Sequence, residues 1–375
     1  MKIALIGPAH PLRGGGISTF NERLATELQT EGHDVTIYSF SLQYPSFLFP
    51  GKSQFTDEPA PAGLNIKSII NSINPLNWIS VGKLIKKERP DLVIVRYWMP
   101  FMGPCLGTIL RIVRQNKHTR ILCIADNIIP HEKRPGDLPF TRYFIKPVHT
   151  FIAMSRDVLK DLKTLTDKPA TFVPHPLYDN YGAAVPRAQA LAQLKLAADK
   201  KYMLFFGFIR KYKGLDILLE AMSDERLKAS GVELIVAGEF YGDEDFYTNI
   251  IKQHGLEQKV HLYTSFIPNE EVTLYFSAAD VIVQPYRSAT QSGITQVAYH
   301  FEKPMIVTNV GGLAEVVPNG EAGYVTAPEP TAIANALLRF FTPSSIPNLD
   351  ANLKREKAKY SWDVFVQQLL KTAGF

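Results

Sequence analysis

The stretch FFGFIRKYKG, residues 205–214, places three cationic side chains, Arg210, Lys211 and Lys213, directly after an apolar run and Gly207. Arg210 and Lys213 are the site candidates among them. From Leu215 onward, apolar residues recur at the three- and four-residue spacing of a helix face. A guanidinium group forks onto phosphate oxygens, and a lysine ammonium acts as a movable point charge. The order of these features predicts a site for a phosphate-like anion: a strand end is followed by a glycine, then by cations and then by a helix start. A solvated basic surface would explain the same cations without a ligand.

Two further stretches place glycine where a strand-like run gives way to a helical pattern: LRGGGISTF at 12–20 and SATQSGITQ at 288–296. Glycine lets backbone N–H groups approach an anion, and a helix N-terminus adds about half a positive charge. The first stretch is not G-x-G-x-x-G, so it lacks the dinucleotide-binding fingerprint. A plain tight turn and ordinary helix capping are the alternatives. The residues that these loops offer to an anion are Gly15, Gly16, Gly207, Ser292 and Gly293.

Short apolar runs, the elements that must position these loops, alternate with helical patterns along the chain. The runs are continuous rather than alternately apolar and polar, which is typical of parallel strands covered on both faces. The predicted strands are 2–7, 34–39, 91–96, 120–125, 149–155 and 170–174, followed by 201–206, 232–238, 259–263, 280–285 and 304–309.

This alternation predicts an α/β protein with two doubly wound domains. The first domain is expected over residues 1–175 and the second over 201–360, with a linker over 176–200 that begins rich in proline, tyrosine and alanine. Domains of this type bind ligands outside the carboxyl ends of their strands. If the two sets of strand ends face each other, the active site is the cleft between the domains.

Charge is distributed unevenly between the two halves. Residues 1–175 carry 22 Lys and Arg against 14 Asp and Glu, whereas residues 176–375 carry 19 against 22. The N-terminus lacks the apolar length of a secretory signal, and the least charged stretch, 97–110, is interrupted by proline and glycine. We therefore expect a cytoplasmic protein whose basic first half touches an anionic membrane surface or another acidic partner.

The motifs together resemble family 4 glycosyltransferases of the GT-B fold. The resemblance covers nearly the whole chain, in the family's order, through the stretches 14–39, 207–221, 233–239, 260–286, 303–325 and 360–365. It implies two Rossmann-like domains facing each other across a cleft, with a C-terminal helix (361–375) packed back onto the first domain. It also implies a retaining sugar transfer, without metal or cofactor, from a nucleotide-diphosphate sugar to an acceptor held by the first domain.

In the donor domain, only some of the family's functional residues have a match at the corresponding position of this sequence. Lys213 directly precedes Gly214, as the family's diphosphate-binding lysine does, whereas the family's arginine position holds Phe208. Arg210 is therefore assigned from its chemistry. The family's pair of glutamates is missing from 285–301, and a changed donor contact explains this better than an inactive enzyme. The residues standing there instead are Gln291, Ser292, Gly293, Thr295 and Gln296.

Four further residues are candidates by position relative to the family pattern. Asp126 ends a predicted strand where the family tends to have a histidine near the reactive sugar carbon, and His131 follows five residues later. Either would contact the donor sugar or orient the acceptor, although His131 would equally suit an exposed loop. Glu239 and Glu315 match positions near the nucleoside and the donor, with an exposed capping role as the alternative. No residues are assigned to a metal.

The acceptor is the least defined partner. The segments 43–51, 74–90 and 111–120 mix aromatic residues with cations in the basic domain, which suits a headgroup surface and a lipid-linked or glycan acceptor. Solvated helix faces explain the same charges. No motif supports nucleic-acid binding. The function predicted from the sequence is sugar transfer in cell-surface polysaccharide or glycolipid synthesis. The alternative is a catalytically weakened, glycosyltransferase-like binding scaffold.

Overall fold

A computed structural model describes residues 1–12, 16–45, 54–56, 59–129, 135–242, 244–289, 292–343 and 345–375. The chain divides into two compact units. The first unit comprises Met1–His175 together with Trp362–Phe375, and the second comprises Pro176–Ser361. The candidate residues Gly15, His131 and Gln291 lie outside the described residues.

A seven-stranded parallel sheet forms the centre of the first unit, in the order β3-β2-β1-β4-β5-β6-β7. Its central strands are apolar on both faces, which is why the sequence shows continuous rather than alternating runs. The strands are β1 (Lys2–Ile6), β2 (Asp34–Leu42), β3 (Asn65–Asn71), β4 (Leu92–Tyr97), β5 (Arg120–Ala125), β6 (Thr150–Ala153) and β7 (Ala170–Phe172).

Helices cover both faces of this sheet, so the first unit has two apolar cores. One core holds buried residues of α2, α3, α4 and α5, and the other holds buried residues of α1 and α15. The last helix of the chain therefore completes the first unit. The helices are α1 (Gly16–Thr30), α2 (Pro75–Glu88), α3 (Gly103–Arg114), α4 (Asp137–Ile145), α5 (Arg156–Lys163) and α15 (Trp362–Ala373).

The second unit repeats this architecture around a six-stranded parallel sheet, in the order β10-β9-β8-β11-β12-β13. Its strands are β8 (Lys201–Phe206), β9 (Val232–Ala237), β10 (Val260–Tyr263), β11 (Val281–Gln284), β12 (Met305–Thr308) and β13 (Gly323–Thr326). Its helices are α6 (Arg187–Gln193), α7 (Leu215–Met222), α8 (Glu225–Ala229), α9 (Glu244–Gln253), α10 (Asn269–Ala278), α11 (Gly293–His300), α12 (Leu313–Val316), α13 (Pro330–Phe341) and α14 (Leu349–Ala358). Helices again cover both sheet faces.

The stretch 176–200, expected as a linker, is instead part of the second unit. It contains helix α6, whose Ala190 and Leu191 are buried in the same core as strand residues Tyr202 and Leu204. The backbone N–H of Leu177 also donates to the carbonyl of Tyr360 over 2.8 Å. The stretch 176–200 is rich in small and polar residues, so its sequence did not indicate the short amphipathic helix, which buries only one side.

No helix within the described ranges is long and apolar enough to cross a membrane.

Candidate active site

The loop after β8 brings Lys213 over the end of its own strand. Gly207 follows the strand with φ 91°, a left-handed conformation that favours glycine. A side-chain carbon at Gly207 would lie 3.1 Å from the Lys213 Nζ atom. Residues Lys211–Lys213 form a single 3₁₀ turn, and Gly214 (φ 68°) is the N-cap residue that precedes α7. The glycine after the strand therefore leaves the space that the lysine ammonium occupies.

The Lys213 ammonium is half-buried, and burial together with the charge of Arg210 lowers its pKa to about 8. Within the described part of the chain, its ammonium has no carboxylate partner in a salt bridge. Arg210 is exposed, and its guanidinium carbon lies 4.4 Å from the centroid of the Tyr241 ring. The half-buried Lys213 ammonium thus lies beside a second cation with no acidic partner among the described residues, which is the electrostatic environment that favours an anionic ligand.

The loop after β11 supplies an aromatic side of this site that sequence reasoning missed. Tyr286 is buried, and the Lys213 Nζ atom lies 5.8 Å from the centroid of its ring. The Tyr286 hydroxyl is 3.2 Å from the Ser292 Oγ atom, and burial raises the pKa of the phenol. Arg287 in the same loop pairs with buried Asp216 at the start of α7. This ion pair joins the lysine loop to the β11–α11 loop.

Helix α11 begins at Gly293, as the sequence predicts. Ser292 occupies the capping position, but its side chain makes no capping hydrogen bond. A side-chain carbon at Gly293 would lie 3.0 Å from the Cε2 atom of Tyr178, so the helix start lies close to that ring. The first-turn N–H groups are therefore not satisfied by the Ser292 hydroxyl, which was the plain alternative to an anion site.

The other two candidates on α11 point into the protein. Thr295 and Gln296 are both buried. The Thr295 hydroxyl exchanges hydrogen bonds with the amide of Gln284, which donates over 3.1 Å. Thr295 therefore anchors the helix to β11, whereas the Gln296 Oε1 atom is buried without a hydrogen-bond partner in the described structure.

Two predicted glutamates follow the carboxyl ends of β9 and β12, which are not adjacent in the sheet. Glu239 follows β9 after Gly238, and its backbone carbonyl accepts a 2.8 Å hydrogen bond from the N–H of Ile209. That bond holds the β8 and β9 loops side by side. Glu315 lies on the short helix α12 and is exposed. Five of the predicted residues thus follow the carboxyl ends of strands of one parallel sheet: Lys213, Glu239, Ser292, Gly293 and Glu315.

The first unit contains a separate polar centre around Asp126. The buried Arg96 of β4 donates two hydrogen bonds to this carboxylate. One of them joins the Arg96 Nε atom to the Asp126 Oδ2 atom over 2.9 Å. The Asp126 side chain is 19% exposed; burial raises the pKa of its carboxyl group and Arg96 opposes the rise. The Arg96 guanidinium carbon lies 4.1 Å from the centroid of the Phe20 ring. Sequence reasoning identified Asp126 but not its partner.

Gly16, the remaining glycine candidate, is the exposed first residue of α1 in this unit. The described residues contain no group of three or more His, Cys, Asp or Glu side chains arranged to hold a metal ion. Among the candidate residues, the structure thus brings together the cations of the β8–α7 loop in the second unit and places Asp126 against Arg96 in the first.

Two families match the chain, one on each unit. Residues 187–360 match the family "Glycosyl transferases group 1", and residues 14–178 match "Glycosyltransferase Family 4". The two matches together extend over both sheets, including the lysine loop and the Arg96–Asp126 pair.

Relatives align with most of the chain. Spore coat protein SA of Bacillus subtilis (strain 168) is 26% identical over 348 residues, which are 87% of this chain and 85% of the relative. The putative teichuronic acid biosynthesis glycosyltransferase TuaC of the same strain is 23% identical over 362 residues, 91% of this chain and 89% of the relative.

Solved structures share the fold at low sequence identity. Anabaena HepE in complex with UDP superposes with a TM-score of 0.74 at 16% identity, covering 100% of both chains. The structure of the same protein with UDP-glucose gives a TM-score of 0.67, also at 16% identity, over 99% of each chain. The chain therefore belongs to the family 4-like glycosyltransferases of the GT-B fold.

Proposed function

We propose that this glycosyltransferase moves a hexose, with retention of anomeric configuration and without a metal ion, from a nucleotide-diphosphate sugar to a glycan or lipid-linked acceptor. The site in the second unit would hold the donor, and the first unit would hold the acceptor. The reaction would belong to cell-surface polysaccharide or glycolipid synthesis, on the cytoplasmic side.

A single observation carries this proposal: Lys213 and Arg210 are neighbouring cations, and the half-buried Lys213 has no acidic partner in the described structure. A leaving nucleoside diphosphate develops negative charge on its distal phosphate as the bond to the sugar breaks. Preorganised cations aimed at developing charge are among the largest contributions to catalysis. Together with the uncapped start of α11, these cations supply the positive charge that a metal ion would otherwise provide.

Retention follows if the acceptor hydroxyl attacks from the face that the diphosphate leaves. In this scheme a phosphate oxygen of the leaving group takes the hydroxyl proton, so no protein nucleophile is needed. Arg210 and Lys213 stabilise the diphosphate, and Asp126, held by Arg96, orients the acceptor. The stereochemistry is testable by NMR, because the anomeric configuration of the first-formed product distinguishes retention from inversion.

The relatives and neighbours suggest which ligands to test first. HepE was solved with UDP and with UDP-glucose, and TuaC is named for teichuronic acid biosynthesis. We therefore propose a uridine diphosphate sugar as the first donor to assay and a glycan or its lipid-linked precursor as the acceptor. Ser292, which is only partly buried at the start of α11, would take over a contact of the missing glutamate pair with the sugar.

The deciding experiment is a thermal-shift series with UDP, GDP, ADP and CMP and their sugar conjugates, each with and without EDTA. A ligand at 100 times its dissociation constant stabilises the folded protein by about 2.7 kcal/mol. We expect one nucleoside diphosphate to raise the unfolding temperature equally in both conditions. Loss of the shift in EDTA would overturn metal independence, and no shift with any nucleotide would favour the binding scaffold.

A further inference from the structure

The outer surface of helices α2, α3 and α4 forms one continuous face of the first unit. All three helices pack on the same side of the sheet. Glycines bring them close together: a side-chain carbon at Gly82 of α2 would touch Ile112 of α3 at 3.0 Å, and one at Gly103 of α3 would meet the Phe140 carbonyl of α4. We call their solvent side the α2–α4 face.

On α2 this face interleaves aliphatic residues with lysines. Leu76 is 78% exposed, and Ile79, Lys83 and Lys87 follow at helical spacing on the same exposed side. The acidic residue of this helix, Glu88, is turned away, because Tyr38 and Lys67 of the sheet bind its carboxylate. Exposed aliphatic side chains and cations therefore share one surface without an intervening acid.

Helices α3 and α4 continue the same composition. Leu138 and Phe140 of α4 are 43% and 42% exposed. At the C-terminal ends of α3 and α4, an open cavity of about 350 Å³ is lined by Arg111, Arg114, Gln115, Lys146 and Pro147. A second cavity, of about 410 Å³, lies at the end of α2 and is lined by Lys83, Lys86, Lys87, Arg89 and Asn116. Neither cavity has a carboxylate in its lining. The guanidinium groups of Arg111 and Arg114 also donate to backbone carbonyls of Tyr143 and Lys146. The lysines around the second cavity are therefore the main candidates for contact with phosphate groups.

A neighbouring helix shows that this composition is not simply that of a solvated surface. Helix α5 packs in the same core, yet its exposed side mixes Asp157 and Asp161 with Lys160 and Lys163. The segments 73–89, 103–117 and 137–147 carry nine Lys and Arg against two acidic residues, Glu88 and Asp137. An ordinary solvated helix does not need to exclude acids while exposing leucine and phenylalanine.

We propose that the α2–α4 face binds the surface of a phospholipid bilayer that contains anionic lipids. The lysines and arginines would contact headgroup phosphates, while Leu76, Ile79 and Phe140 would enter the boundary between headgroups and acyl chains. A nucleic acid would satisfy the cations but leave these apolar side chains in water. The face lies wholly in the first unit, so bilayer binding is independent of the donor site. It would bring the enzyme to acceptors that are anchored in lipid.

The test is sedimentation of the full-length protein with vesicles of phosphatidylcholine, with and without phosphatidylglycerol, at low and high salt. We expect sedimentation with the anionic vesicles that weakens in high salt. Replacing Lys83 and Lys87 together by glutamine should weaken partitioning about 25-fold, since each lysine near an anionic surface contributes ~1 kcal/mol, or about fivefold. Leu76→Asn should weaken it further without changing the affinity for a short duplex DNA.

The matched control replaces Lys252 and Lys354, two exposed lysines on helices α9 and α14, by glutamine. It changes the net charge equally but should leave vesicle binding intact. No sedimentation of the wild-type protein, or equal loss in the control, would overturn the proposal. Unchanged vesicle binding by the Leu76→Asn variant would also overturn the proposal and would indicate a surface that binds polyanions in general. Nucleoside diphosphate binding, measured in every variant, reports separately on folding and on the proposed donor site.

Discussion

At the scale of single residues, the proposed donor site depends on the ammonium of Lys213. Its pKa is lowered because the group is partly removed from water and lies near Arg210. Holding this charge costs the free protein stability, and an anionic ligand recovers that cost when it binds. The proposed site would favour a diphosphate because no acidic side chain among the described residues pairs with this ammonium.

Replacing Lys213 by alanine should lower the turnover number by about 10²–10³-fold, the usual effect of removing a charge-stabilising donor from an active site. Initial rates with a saturating nucleotide-sugar measure the effect. Lys211→Ala is the matched control, because Lys211 is exposed in the same 3₁₀ turn. Equal rates for the two variants would remove Lys213 from the mechanism.

The affinity for a nucleoside diphosphate should fall as the pH rises above about 8, the pKa of Lys213 in the free protein. A bound diphosphate favours the protonated lysine and raises its pKa, so binding above pH 8 takes up a proton. The dissociation constant should then increase by up to about tenfold per pH unit until the bound lysine also titrates. Calorimetric titrations between pH 7 and 10 measure this slope, which should vanish in the Lys213→Ala variant.

The buried Arg96 should stabilise the first unit through Asp126. Arg96→Met would leave the carboxylate desolvated without its partner, which typically costs about 3–5 kcal/mol of unfolding free energy. Adding Asp126→Asn to this variant should recover part of the loss, because an amide carries no charge. Denaturant titrations of the single and double variants measure both effects, and an additive double variant would show that the two side chains do not interact.

These residues also show what a sequence reveals about a site. Lys213 and Gly207 were identified because they are close together in the chain and follow an apolar run. Arg96 and Asp126 lie 30 residues apart, and only the pairing of β4 with β5 brings them together. Thr295 was identified by position, but its burial against Gln284 depends on how α11 packs, which no local pattern reports.

At the scale of elements, the predicted strands were confirmed wherever a run is continuously apolar, as in β1, β5 and β8. The two missed strands, β3 and β13, are both at sheet edges. Lys67 and Ser68 interrupt β3, and β13 begins with a glycine. An edge strand has a neighbour on one side only and tolerates more polar residues and glycine, which explains why β3 and β13 were missed although the edge strands β7 and β10 were predicted.

Gly214 should be far less tolerant of substitution than Gly255, although both have left-handed backbones, with φ 68° and 62°. An alanine side-chain carbon at Gly214 would lie 2.0 Å from the Pro285 carbonyl oxygen, whereas Gly255 has open space. Gly255→Ala should cost only the conformational strain, about 1 kcal/mol. Gly214→Ala should lower the unfolding free energy several-fold more, by about 3 kcal/mol, as substitutions at other overpacked sites do.

Denaturant unfolding of both alanine variants measures this difference, and the nucleoside diphosphate affinity measures its functional consequence. Because the clash would push the β8–α7 loop away from the β11–α11 loop, Gly214→Ala should also weaken binding, while Gly255→Ala should not. Equal stability of the two variants would show that the loops separate without cost and do not form a rigid site.

At the scale of the whole molecule, the two repeating series of strands and helices were sufficient to predict two α/β units. Two boundaries depended on packing and could not be read from composition. The proline-rich stretch after His175 joins the second core, and α15 returns to the first unit after the chain has completed the second. The helical pattern of α15 was visible in the sequence, but its destination was given only by the family resemblance.

The return of α15 should make the stability of the first unit depend on the last residues of the chain. Phe365 is buried, and its ring lies 5.6 Å from that of Phe20 in α1. Phe365→Ala should therefore destabilise the first unit by about 3–5 kcal/mol, the usual cost of emptying a buried aromatic site. Hydrogen–deuterium exchange resolved by peptide measures each unit separately, and Gln368→Ala, an exposed change on the same helix, is the control.

Faster hydrogen–deuterium exchange confined to β1 and β4–β6 would show that α15 stabilises the first unit alone, because those strands belong to the sheet of that unit. Equal acceleration in β8–β12 would contradict that independence and show that the two units unfold as one cooperative body.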